Sequence, residues 1–292
     1  MEWKTLDDSV VVLTGATSGI GRAAAERFGD LGAEVVLVGR SRDRGVETLA
    51  EVRDRGGDGI FVRADLARLD AVRALADEVT ERYDEVDVLA LNAALSLPDR
   101  EVVETPGGPV ERVFLVNHLA PYLLTHELLG RLESAAPSRV VVTSSRVHRR
   151  GELRLDDPTL AEEYDALGAY ARSKLANVLF STELAARLPS DVTALAYHPG
   201  FVPGSGLYRE TGGAFGLAVR LASRLGVGRS VAESGEDLVY AAGAPELAVE
   251  SGAYLVGRDP TPPDSRVGND ALRRRLWDES ARLVDVEPDW PA

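Results

Sequence analysis

Tyr170 and Lys174 lie four residues apart in AYARSKLANVLF, and this pair is where the sequence first offers chemistry. On a helix, residues at i and i+4 share a face. A phenol alone is a poor acid or base at neutral pH, because its pKa is about 10. An ammonium beside it favours the phenolate and lowers that value, which gives a proton donor or acceptor that works near pH 7. The chain has only two lysines, Lys4 and Lys174, so the spacing is informative. By itself it also fits a half-buried tyrosine beside a solvated lysine, and the surrounding elements must decide.

The segment SVVVLTGATSGIGRAAAERFGDLGAEVVLVGR, residues 9–40, reads as strand, glycine turn, helix, strand. Val10 to Leu13 form a continuous apolar, β-branched run, as in a strand buried on both faces. Gly15, Gly19 and Gly21 follow it in a Gly-x-x-x-Gly-x-Gly pattern. A glycine turn between strand and helix lets the backbone approach a pyrophosphate, and the helix offers its unpaired N–H groups and positive dipole end. The spacing there predicts a dinucleotide site rather than a plain turn.

The same alternation continues along the chain. Strands are expected at 10–14, 34–39, 59–63, 87–91, 138–144, 191–197 and 252–256, with helices near 20–31, 43–54, 69–83, 109–133, 166–188 and 230–242. This order predicts one α/β domain over residues 1–292: a doubly wound, Rossmann-type parallel sheet of about seven strands with helices on both faces. Residues 146–165 read as an inserted loop and 270–285 as a helical tail. Residues 199–229 mix glycines with Phe201, Leu207, Tyr208 and Phe215, which predicts a lid over an apolar ligand, or two small helices packed on the core.

Taken together, these segments resemble the short-chain dehydrogenase/reductase family over about residues 8–285, and within it the retinol-dehydrogenase-like and protochlorophyllide-reductase-like branch. TGATSGIG looks like the family's cofactor motif, with Gly15, Thr17, Ser18, Gly19, Ile20 and Gly21 as contacts. Asp65-Leu66 looks like its adenine-contacting pair, and Asn92-Ala93 in LNAAL matches part of its Asn-Asn-Ala-Gly motif. Leu91 and Ala94 depart from that motif's first Asn and its Gly. Asn117 matches the helix asparagine, Ser145 the catalytic serine with Ser144 its neighbour, and Pro199-Gly200 the turn after the sixth strand. Val202 follows that turn, and Ser205 is the nearest hydroxyl to the threonine that in the family contacts the carboxamide.

The resemblance implies a catalytic set of Asn117, Ser145, Tyr170 and Lys174. Tyr170 exchanges a proton with a carbonyl or alcohol oxygen, and Ser145 holds that oxygen. Lys174 also contacts the nicotinamide ribose, and Asn117 holds a water that links Lys174 to solvent. The family pairs through two long helices, here about 109–133 and 166–188, so a homodimer is the favoured assembly. Light-driven chemistry in this branch is associated with cysteine, which the chain lacks.

The cofactor choice can be read from the second strand. An acidic residue at its end would hold a ribose 2′-hydroxyl. Gly39 stands there instead, followed by Arg40, which can grip a 2′-phosphate, with Ser41 or Arg42 assisting. NADP(H) is therefore expected over NAD(H).

Composition limits the alternatives. The net charge of −14 argues against nucleic acid and anionic membranes as partners. Cysteine is absent and the four histidines show no ligand spacing, so no metal is expected, and His118 and His126 read as packing or surface residues. No apolar run reaches the roughly 20 residues needed to span a bilayer, and MEWKTLDDS lacks a signal peptide's basic and apolar regions. A cytoplasmic protein acting on a small, apolar carbonyl or secondary alcohol is expected. The acidic, lysine-poor composition fits a halophilic source or a high-GC genome equally. The alternative function is a catalytically silent dinucleotide sensor or scaffold, whose usual mark is a broken Tyr-Lys pair; here the pair is intact.

Overall fold

The computed structural model describes residues 6–207, 221, 225 and 227–291. Strands β1 (Val10–Thr14), β2 (Glu34–Gly39), β3 (Asp58–Arg63), β4 (Val88–Leu91), β7 (Ser138–Thr143), β8 (Val192–His198), β9 (Tyr254–Val256) and β10 (Asp259–Pro260) build the main sheet, in the order β3-β2-β1-β4-β7-β8-β9-β10. All neighbours pair in parallel except β10, which returns antiparallel to β9. Seven expected strands thus become eight, because the short β10 carries no apolar pattern that sequence could flag. The strand order reverses between β1 and β4, and the crevice outside the carboxyl ends of such strands is where open sheets bind ligands.

Because both faces of the sheet are covered, its strands are apolar at successive positions rather than alternating. Val11, Leu13, Val35 and Leu37 pack on one side, against α1 (Gly19–Asp30) and α7 (Val231–Gly243). Val12, Val36, Leu89 and Val140 pack on the other, toward α3 (Leu69–Arg82), α5 (Ala120–Ala135) and α6 (Ala166–Arg187). Further helices among the described residues are α2 (Arg42–Asp54), the short α4 (Arg112–Phe114) and α8 (Asp270–Val284). No helix among the described residues is long and apolar enough to cross a membrane.

The expected helix 109–133 starts later. Residues 102–105 and 108–111 form a hairpin, β5 (Val102–Thr105) and β6 (Gly108–Glu111). Pro109 withholds a backbone donor, which suits this two-stranded ribbon and not a helix interior. Glu111 then caps α4, its buried carboxylate accepting from Val113 N at 2.6 Å and Phe114 N at 3.0 Å. The helix continues through a π-helical turn over Leu115–Leu119 before α5. Likewise the inserted loop opens with a 3₁₀ turn at Arg146–Arg150. Of the expected lid, residues 208–220, 222–224 and 226 lie outside the described residues. Its two ends meet: Arg229 N donates to Phe201 O at 2.8 Å, while Arg229 and Arg258 both pair with the buried Asp237 of α7.

Every residue of α6 from Ala171 to Ser181 is buried. The sheet and the π turn cover part of this stretch, and the tail covers the rest. Trp277 of α8 sits edge-on to Tyr122 and stacks with Phe180, and Trp290 donates its indole N–H to the Tyr122 hydroxyl at 2.9 Å. Arg187 lies over the Trp277 ring and donates to the carbonyls of Pro288 and Trp290. Part of the two long helices thus carries the chain's own tail, through the buried Trp277 and Trp290. Trp277→Ala should lower unfolding stability in urea by about 3–5 kcal/mol; a loss near zero would show that the tail does not hold α6.

Candidate active site

The site begins where β1 ends. Thr14 accepts, through its hydroxyl, from the backbone N–H groups of Asn92 and Ala93 at 2.9 and 3.1 Å, and the Asn92 amide donates back to Thr14 O at 3.0 Å. This knot fixes the ends of β1 and β4 together at the point where the strand order reverses. Gly15 next adopts φ 68°, a left-handed turn that glycine takes without steric cost. Gly21 must also be small, since a β-carbon there would collide with the Gly15 carbonyl and lie 2.7 Å from the Asn92 amide. Ser18, at the N-cap of α1, makes no side-chain cap, and the first turn carries no acidic residue. The first N–H groups of α1 are thus left for a ligand, at the positive end of the helix. A dinucleotide pyrophosphate fits this cradle.

A cleft of about 310 Å³ runs from here in both directions. Thr17, Ser18, Ile20 and Gly21 line its middle. At one end stand Gly39, Arg40, Ala64, Asp65 and Leu66. Asp65 turns its carboxylate onto Ala67 N, which holds the bend after β3. Arg44 also lines this end, and Arg42 does not. Ser41 is occupied as the cap of α2, accepting from Arg44 N. Arg44 was not anticipated, although it lies four residues after Arg40, the spacing that brings two side chains to one side of a helix start.

At the other end are Asn92, Ala93, Ser145, Tyr170, Pro199, Gly200, Val202 and Ser205. Leu91, the departure from the family's first Asn, is a buried core residue, and Ala94 is exposed at the cleft edge. Gly19 does not line the cleft and packs on the backbone of Ser205. The two serines divide by partner. Ser144 is buried and donates to Lys174 O at 2.9 Å, while Ser145 faces the cleft and accepts only a long contact from Val147 N at 3.4 Å. Ser145 is therefore the hydroxyl available to a ligand.

Lys174 lies behind the cleft wall, fully buried, its Nζ donating to Thr143 O at 3.0 Å and sitting 5.4 Å from the centre of the Tyr170 ring. Asn177, one turn on, donates to the same carbonyl at 3.1 Å. Asn117, in the π turn, accepts from Leu95 N at 2.7 Å and donates to Leu95 O at 2.8 Å and Ser173 Oγ at 3.0 Å. Ser173 in turn donates to Tyr170 O at 2.7 Å. The amide donors of Asn117 are both taken, so its side chain ties the loop after β4 to the helix of Tyr170. His198, unanticipated, also lines the cleft. Burial, with Arg146 and His148 nearby, pushes its imidazole down to about 4, so it is neutral at physiological pH. His118 is a packing residue, as expected: it is fully buried, bonded to Ser280 and held down to about 3 by desolvation.

The short chain dehydrogenase family model matches residues 9–212. Dehydrogenase/reductase SDR family member 13 of Bos taurus is 39% identical over 292 residues, covering 97% of this chain and 75% of that protein. Retinol dehydrogenase 14 of Homo sapiens is 35% identical over 295 residues, covering 94% of this chain and 86% of that one. An uncharacterized protein from Mycobacterium paratuberculosis shares the fold with a TM-score of 0.73 at 27% identity, over 98% of this chain and 96% of its own. Sheet, cleft and matches define an α/β oxidoreductase that works with a nicotinamide dinucleotide. The chain belongs to the short-chain dehydrogenase/reductase family, and its similarity extends to the retinol dehydrogenases.

Burial alone pushes the Lys174 ammonium from 10.5 down to about 7. Between those values the unfolded chain binds a proton that the folded chain releases, so this group makes stability rise with pH across that window. Below about pH 7 it is charged in both states and its full desolvation cost is felt. In ligand-free protein, Lys174→Met should therefore raise the melting temperature more at about pH 7 than at about pH 9.5. An equal difference at both values would show that the buried amine carries no such cost.

Proposed function

We propose that the protein transfers a hydride between NADP(H) and the carbonyl or secondary alcohol of an apolar small molecule. One observation carries the reading: a single cleft has Ser145 and Tyr170, with Lys174 behind it, at one end and Arg40 with Arg44, without a facing carboxylate at residue 39, at the other. Two guanidiniums suit a 2′-phosphate better than a 2′-hydroxyl. Bound there, the dinucleotide supplies or takes the hydride.

The chain's own residues handle the proton. Ser145 donates a hydrogen bond to the substrate oxygen and fixes it beside the Tyr170 hydroxyl. Tyr170 gives its proton to that oxygen in reduction and takes it in oxidation. Lys174, when charged, stabilises the phenolate; its Nζ lies 5.4 Å from the centre of the Tyr170 ring. Thr143 O and Asn177 hold the amine in place, and Asn117 with Ser173 keeps the Tyr170 turn aligned with the loop after β4. Leu95, Val202 and Leu207 give the reacting end an apolar wall, which agrees with an apolar substrate and with the alcohol named for the human relative.

NADPH oxidation followed at its absorbance band, against a panel of apolar ketones and aldehydes, tests the reading. Tyr170→Phe should lose about 10²–10⁴-fold in turnover with dinucleotide affinity kept. Retained turnover would remove Tyr170 from its role, and cofactor binding without turnover on the whole panel would favour a sensor.

A further inference from the structure

Gly39 ends β2, and Thr17 lies in the turn between β1 and α1; both line the cleft, Gly39 at the end where Arg40 and Arg44 stand and Thr17 next to it. A β-carbon placed on Gly39 would fall 2.6 Å from Thr17 Cγ2, 3.0 Å from Thr17 Oγ1 and 3.4 Å from Thr17 Cβ. Gly39 is not among the left-handed glycines, so its backbone accepts any L residue and the obstacle is steric alone.

Neither backbone is free to retreat. Ala16 N donates to Val38 O at 3.1 Å and pins the turn to β2, while Ala64 N donates to Gly39 O at 3.1 Å and pins Gly39 to β3. Nor does rotation of Thr17 clear the space. Both its branches face Gly39, so a turn of 120° about χ1 replaces one branch by the other or leaves one of them in place. The best rotamer exchanges the 2.6 Å approach for the 3.0 Å one, which remains tighter than ordinary contact.

We infer that Thr17 is a specificity-determining residue: it fills the space that an acidic side chain at position 39 would need, and so excludes the carboxylate that reads a ribose 2′-hydroxyl. This rests on the NADP(H) reading and deepens it. Dinucleotide choice then has two parts: the guanidiniums of Arg40 and Arg44 attract a phosphate, and Thr17 keeps residue 39 a glycine. Replacing Gly39 alone does not convert the site. Replacing Thr17 with alanine leaves only its β-carbon at 3.4 Å, an ordinary van der Waals distance.

The test is a pair of mutant cycles on the full chain. Gly39→Ala and Thr17→Ala/Gly39→Ala are melted without ligand, and Gly39→Asp and Thr17→Ala/Gly39→Asp are titrated calorimetrically with NADP⁺ and NAD⁺. Gly39→Ala should melt below the wild type, and Thr17→Ala should restore it. Gly39→Asp should gain less than about twofold in NAD⁺ affinity, and the double variant about tenfold over it. A Gly39→Ala protein as stable as wild type, or a tenfold NAD⁺ gain from Gly39→Asp alone, would overturn the proposal. If the aspartate variants do not fold, the alanine pair decides. A wild type that prefers NAD⁺ overturns the cofactor reading and the selectivity assigned to Thr17, while the alanine pair separately reports the steric lock.

Discussion

The site depends on one costly placement: an ammonium with no carboxylate partner, held out of water against the carbonyl of Thr143. Desolvation disfavours the charged form, and the neighbouring phenol gains from it. Both effects come from the same burial. A lysine at the surface would be charged at no cost and would do little to Tyr170 through water. Burial makes the amine's charge scarce and also effective, since field lines in the interior are poorly screened. The fold must therefore supply enough packing around α6 to keep the amine in.

That packing explains features that otherwise look unrelated. The helix of Tyr170 and Lys174 is enclosed on all sides, by the sheet, by the π turn and by the tryptophan-bearing tail. The π turn brings Asn117 within reach of both Leu95 and Ser173. On the far side of the sheet a second cation, Arg139, is buried at the start of β7, where it donates to the carbonyls of Ala241 and Ala244 at the end of α7. There the partial negative charge of a helix C-terminus replaces a carboxylate. Both buried cations are thus held by backbone carbonyls.

Much of this was visible in the sequence, for identifiable reasons. Each parallel strand is a short β-branched run between turn signals, so β1, β2 and β7 declared their places within a residue or so. The glycine turn and the Tyr-Lys spacing are local patterns, and local patterns survive without coordinates. What stayed hidden depends on distant contacts. The hairpin at 102–111 has no clean alternation, and Pro109 lies inside what read as a helix. Ser173, Asn177 and Thr143 look like ordinary helix and strand residues until their partners, 31 to 56 residues away, are known. That the chain lays its own tail against the helix of Tyr170 and Lys174 also depends on such distant contacts.

The hydrogen bond between Arg229 and Phe201 closes the chain on itself at the mouth of the cleft, with Asp237 clamping the junction from α7. The two ends of the stretch between them therefore lie at nearly one point. The entropy of closing such a loop grows only slowly with its length. A stretch of this kind behaves as an interchangeable cassette: evolution can lengthen, shorten or rewrite it without moving a strand of the scaffold. The catalytic frame and the appetite for particular substrates can then diverge independently among descendants of one ancestor.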